Sequence, residues 1–171
     1  MRVEIAHWPH PVLLRGTQPV ERVDDELRKT VEDMARLMVD LRGVGLAAPQ
    51  VSIPKRFMLV CPTAELGEEE VVINPEILAL EGSEEMEEGC LSFPGVYATI
   101  QRATKVKVRY RDLDWKERTL DLEGFVARIF QHEFDHLNGV VFLERMSAAD
   151  KMKNRQRLEE LRKAYGAAAA R

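Results

Sequence analysis

Apolar and polar positions follow two different periods along this chain, and the switches between them mark out its elements. Over residues 24–42 apolar side chains recur at Leu27, Val31, Met34, Leu37, Met38 and Leu41, the three-and-four spacing of an amphipathic helix. Asp24, Asp25 and Glu26 suit its positive N-terminal end, and Gly43 supplies a C-terminal stop. The Met and Leu stripe reads as a core face. Short β-rich runs follow at 57–61 and 71–74, separated by an acidic loop. Residues 105–110 alternate, with one apolar and one cationic face, and 112–114 turn into 118–122, which predicts an antiparallel hairpin. Over 123–138 the pattern becomes helical and apolar on all sides, as in a buried helix. Residues 140–143 predict another strand. Ser147, at capping-box spacing from Asp150, opens a last helix to about Tyr165. Residues 166–171 read as a frayed tail.

These elements form one domain over residues 1–171 and an α+β fold. Antiparallel strands pack around a central helix, with one helix N-terminal to them and one C-terminal. The composition, 45% hydrophobic and 32% charged, is that of a globular chain. A net charge of -4 and a pI near 5.7 argue against a protein that wraps DNA. No stretch approaches the roughly 20 apolar residues that span a bilayer, so no membrane partner is expected. The first nine residues lack the apolar core and cleavage site of a secretory leader. The only two cysteines are Cys61, after an apolar run, and Cys90; a buried free thiol at Cys61 fits a reducing cytoplasm.

Candidate chemistry lies on the central helix. His132 and His136 are four apart and share one face, so both imidazoles can reach one metal ion, while Glu133 stands beside it as a general base. Burying two imidazoles and a carboxylate costs several kcal/mol unless they are paired or metal-bound. The other two histidines, His7 and His10, lie far upstream, and Glu159 and Glu160 sit on a cationic terminal helix. Cys90, in the glycine-flanked run 88–92, is therefore the better third ligand, leaving an open, catalytic coordination position. Zinc, iron, nickel or cobalt all suit such donors. Glu88, beside this loop, is a candidate to support a ligand from behind. The small residues of 43–50 allow close approach of a backbone or a ligand.

Three separated segments, 43–50 (GVGLAAPQ), 88–92 (EGCLS) and 131–137 (QHEFDHL), resemble in order and spacing the three motifs of peptide deformylases. The last helix resembles the bacterial form with a helical C-terminus. The resemblance implies removal of the formyl group from N-formylmethionyl nascent peptides, with ferrous iron in cells and zinc, nickel or cobalt as replacements. It implies that Cys90, His132 and His136 hold the metal, and that Glu133 moves the proton. Gln50 and the backbone N–H of Leu91 would stabilise the oxyanion. The substrate would lie against Val44, Gly45, Gly89, Tyr97, Phe125 and Ile129. Arg128 is an unexpected charge on a buried helix near the substrate pocket; of lining the pocket, facing solvent or pairing with an acid, the last two are favoured. Six basic against three acidic side chains on the last helix suggest a ribosome contact near the tunnel exit. A zinc endopeptidase and a non-enzymatic, metal-stapled interaction module are the competing functions.

Overall fold

The computed structural model describes residues 2–170; Met1 and Arg171, the ends of the N-terminal run and of the tail, lie outside them. Strand β2 (Phe57–Val60) shows how the layers are built. Its neighbours in a five-stranded antiparallel sheet are β1 (Gly45–Ala47) and β3 (Glu70–Glu81), and β6 (Lys105–Arg111) and β7 (Glu117–Glu123) complete the order β1-β2-β3-β6-β7. Every residue of β2 is buried. Phe57 and Leu59 point to the side where α1 (Asp25–Asp40) packs with Val31, Met34 and Met38. Met58 and Val60 point to the other, toward Ala127, Ile129 and Phe130 of α2 (Phe125–Leu137). A fully apolar strand is thus covered on both faces, as its sequence requires.

The hairpin β6–β7 forms with Lys105 opposite Glu123 and Lys107 opposite Asp121. Helix α2 buries ten of its thirteen residues. Helix α1 starts on Asp24, whose side chain accepts from Leu27 N–H at 2.9 Å. Its end differs from expectation. Arg42, not Gly43, takes the left-handed conformation (φ 59°), with Gly43 N–H bonded to Met38 O, so the glycine serves close packing instead. A Cβ there would come 2.8 Å from Leu91.

Four further departures concern packing that periodicity does not encode. A second sheet, β4 (Glu84–Gly89) with β5 (Tyr97–Arg102), has no apolar alternation to announce it: β4 is almost all glutamate, and the buried face of β5 carries Arg102 beside Ala98 and Ile100. Residues 140–143 are not a strand. Val141 and Phe142 are buried, and a 3-10 turn at Phe142–Arg145 follows, closed by Val141 N–H on Glu144 Oε2 at 3.0 Å. The last helix is two, α3 (Ala148–Lys153) and α4 (Arg155–Ala169), parted at Asn154, and α4 runs past Tyr165 through its alanines, the best helix formers. Leu158 and Leu161 of α4 join Trp8, Phe93, Ile100 and Phe142 in a third core, whereas Met152 is exposed.

Candidate metal centre and cleft

Helix α2 delivers His132 and His136 from one face, their ring centroids 5.2 Å apart. Cys90 arrives from the end of β4. One donor atom from each of these three residues lies within 4.8 Å of the others, with Cys90 Sγ 3.4 Å from His136 Nε2. Sulfur and imidazole nitrogen at this spacing suit a tetrahedral, borderline-soft cation. Among the described residues, the buried side-chain atoms without a hydrogen-bond partner are Glu133 Oε2 and His136 Nδ1. Both belong to this cluster, and a carboxylate oxygen left without a partner in a buried place is the mark of a site that receives a further polar group. The donor set and the orphaned carboxylate both fit a metal ion that carries a water.

Behind the cluster lies a buried charge network that the sequence only hinted at. Glu88 Oε1 is 2.8 Å from His132 Nδ1. Arg102 grips the same carboxylate twice, Nε to Oε2 at 2.8 Å and Nη2 to Oε1 at 3.0 Å, and reaches Asp135 Oδ2 through Nη1 at 2.8 Å. Arg128 adds Nη1 to Glu88 Oε2 at 2.6 Å, and ties α2 to Ile100 O and Glu84 O. Of the alternatives for Arg128, the ion pair holds and the side chain also borders the cleft, whereas the solvent-facing one does not hold: it is 6% exposed. Burial pushes the Glu88 carboxyl up, but the hydrogen bonds from His132 and Arg102 and the Arg102 charge outweigh it and hold the group well below the usual carboxylate range. Asp135 also takes both ends of Arg145, at 2.6 and 2.7 Å. Arg102, Asp135 and Arg145 carried no spacing signal, since their partners are remote in sequence.

Among the other ionisable groups of the cluster, burial sets the direction at Glu133 and His136 but not at His132. Glu133 is 5% exposed and its carboxyl is pushed up to about 7 by desolvation. His136 is pushed well below its ordinary value by burial. His132 moves well above it: burial opposes the shift, but Cys90 and Glu88 favour the proton.

A cleft of about 710 Å³ opens onto the cluster. Val44, Gly45, Gly89, Tyr97, Phe125 and Ile129 all line it, together with Gln50, Cys90, Leu91, His132 and Glu133. It also takes in Leu41, the end of the α1 stripe that the sequence placed in the core, and the 94–97 turn, which no motif singled out. Gln50 is anchored by Ala47 N–H on its Oε1 at 2.9 Å. Its Nε2 therefore faces Ser92 Oγ at 3.1 Å and Cys90 Sγ at 3.6 Å. Gly45 is dictated by the close passage of Glu133, because a Cβ would lie 2.8 Å from Oε1.

The chain matches the sequence model of the family described as Polypeptide deformylase over residues 2–152. It is 45% identical over 153 residues to a peptide deformylase of Thermotoga sp. (strain RQ2), a stretch covering 88% of this chain and 91% of that one. A peptide deformylase from Plasmodium falciparum shares its structure with a TM-score of 0.93 at 38% identity, over 96% of this chain and 98% of that one. A plant peptide deformylase gives a TM-score of 0.95 at 37% identity, over 99% and 94%. On these matches and this site, the chain belongs to the peptide deformylase family, metal-dependent hydrolases that remove the N-terminal formyl group from newly synthesised proteins and release formate.

Proposed function

We propose that this cleft is where deformylation occurs, with a divalent metal held by Cys90 Sγ, His132 Nε2 and His136 Nε2. The observation that carries this reading is the orphaned, buried Glu133 carboxylate oxygen beside three converging donors. The bound ion would acidify a water and polarise the formyl carbonyl. Glu133 takes the water proton and returns it to the leaving amine, the two tasks a buried carboxylate with one unpartnered oxygen can perform in turn. Gln50 Nε2, aimed by the anchor on its own oxygen, and the Leu91 N–H receive the charge that grows on the formyl oxygen. Strand β1 ends the sheet order, so its outer edge is open to an extended peptide bonding at Val44 and, across the cleft, at Gly89. Gly45, Phe125 and Ile129 then receive the first side chain, and Tyr97 stands over a later one.

The test is formate release from formyl-Met-Ala-Ser, run beside cleavage of an unformylated peptide. Glu133→Gln is expected to lower formate release by at least about 100-fold while the metal stays bound. Near-normal turnover in that variant overturns the role of Glu133 as proton carrier, and internal cleavage without formate favours the endopeptidase.

Ferrous iron is the metal we assign in the cell, with zinc, nickel or cobalt as replacements; family membership supports iron, and metal analysis of anaerobically purified protein tests it. The cytoplasm is the proposed location. No helix among the described residues is long and apolar enough to cross a membrane, and both cysteines are free. We further read α3 and α4 as the face that meets the ribosome near the tunnel exit. Lys151, Arg155 and Arg162 border a second cleft of about 330 Å³ floored by Trp8 and Leu158, with the Arg162 guanidinium 5.0 Å from the Trp8 ring centre. RNA phosphates complement such a row of cations.

A further inference from the structure

The turn between β4 and β5 forms one wall of the cleft, through Pro94, Gly95, Val96 and Tyr97. Its backbone is tied from outside to the C-terminal helices. Asp150 Oδ2 accepts from Thr99 N–H at 3.1 Å. Asn154 Nδ2 donates to Tyr97 O at 2.9 Å and to Asp150 O at 2.8 Å. Arg157 Nε donates to Pro94 O at 2.7 Å. The three residues are spaced four and three apart, so one helical face makes all three contacts.

The local structure gives way to make them. Asn154 is where the helix breaks, its side chain spent on Tyr97 O and Asp150 O. Gly95 sits at φ 81°, and a Cβ there would meet Arg157 Nε at 2.8 Å, so the turn lies close against the guanidinium. Arg157, one of the six basic residues of the last helix, thus spends its Nε on the turn while its Nη1 pairs with Glu160 at 3.0 Å; Asn154 itself is buried. Both residues lie beyond residue 152, where the match to the family ends.

We propose that Asn154 and Arg157 are positioning residues that set the 94–97 wall, and through it the affinity for substrate residues after the first. The residues proposed to receive the first side chain, Gly45 of β1 and Phe125 and Ile129 of α2, belong to other elements than the wall. Loosening the wall is therefore felt by the later residues of the bound peptide. This inference rests on the peptide lying in the cleft along the path proposed for it.

The test compares kcat and KM for formyl-Met-Ala and formyl-Met-Ala-Ser in Arg157→Ala and Asn154→Ala, with metal content and melting temperature measured alongside. Each variant is expected to raise KM for the longer peptide roughly 3- to 10-fold, the loss of one hydrogen bond's net contribution, and to raise it less for the shorter one. In both variants kcat stays within about twofold, and Arg157→Lys, which keeps an N–H donor, recovers part of the loss. Equal rises for both peptides, a fall in kcat alone, or unchanged KM overturns the proposal. Should Arg157→Ala fail to fold, Arg157→Lys and Asn154→Ala carry the same comparison. Tyr97→Ala separates the two readings. If it leaves KM unchanged for both peptides, the peptide's path is wrong. If it raises KM while the Arg157 and Asn154 variants do not, only the bracing is.

Discussion

Glu88 Oε1 lies 2.8 Å from His132 Nδ1, and that contact decides how the histidine faces the metal centre. An ionised carboxylate can only accept, so Nδ1 carries a proton toward Glu88 and Nε2 is the nitrogen turned to the metal site, available once its own proton is expelled. Arg102 and Arg128 both bond the same carboxylate and keep it ionised. Because Glu88 stands two residues before Cys90, the network also fixes the thiol-bearing loop to the histidine helix. Glu88→Gln is expected to weaken metal affinity by about 10- to 100-fold with the fold retained, read by competition with a chromophoric chelator. Unchanged affinity would show that His132 needs no such support.

Acid should drive the metal out. His132 in the metal-free protein binds its proton more tightly than an ordinary histidine, because Cys90 and Glu88 outweigh its burial. Metal uptake must expel that proton, so affinity falls as pH falls and protons are released on binding. Calorimetry in buffers of different ionisation enthalpy, at about pH 7, should register the release. Binding without proton release contradicts the assignment.

Glu133 makes a separate prediction for the metal-free protein. Its folded pKa, about 7, lies above the ordinary 4.5, so the neutral form is the one favoured by folding. That stability is complete below the ordinary value and is lost as pH rises through 7. Glu133→Gln, always neutral, should therefore match wild type at acid pH and exceed it by up to the order of 3 kcal/mol at about pH 8. Denaturant unfolding at the two pH values measures the gap, and a gap that does not grow with pH refutes the account.

The two cysteines should separate cleanly. Cys90→Ser is expected to lose most of its metal, a hydroxyl being a poor donor beside a thiolate. Cys61 is fully buried among α1 and β2 side chains, so Cys61→Ser should keep its metal and lose about 1–3 kcal/mol of stability. Metal analysis of both variants decides, and the reverse outcome would misplace the site.

Removing everything after Ser147 is a poor test of ribosome contact, because it uncovers Trp8 and Phe142 and unties the 94–97 turn. Lys151→Glu, Lys153→Glu and Arg155→Glu together reverse three exposed cations while the helices that cover Trp8 and Phe142, and the ties to the 94–97 turn, stay in place. Co-sedimentation with ribosomes should be lost while formate release from formyl-peptides is kept, and wild-type binding should weaken steeply with salt. Salt-independent binding, or binding that survives the triple change, removes the proposal.

What the sequence determined by itself was whatever short-range periodicity and local spacing encode. Helix α1, the β6–β7 hairpin and α2 follow from apolar spacing, because one buried face dictates each. The shared face of His132 and His136, with Glu133 between them, follows from helical geometry alone. Cys90 is 42 residues from His132, and only its glycine-flanked loop and its likeness to a motif pointed to it. Tertiary structure decided the rest. Sheet β4–β5 has no clear hydrophobic signature, since Glu88 and Arg102 take buried positions beside Ala98 and Ile100, charges that are tolerable inside only because Asp135, Arg128 and His132 complete them. The break at Asn154 depends on a carbonyl 57 residues away, and no local propensity reports it. Arg128 shows the division most plainly: the chain places a charge on a buried helix, and only the fold supplies the carboxylate and carbonyls that make it tenable there.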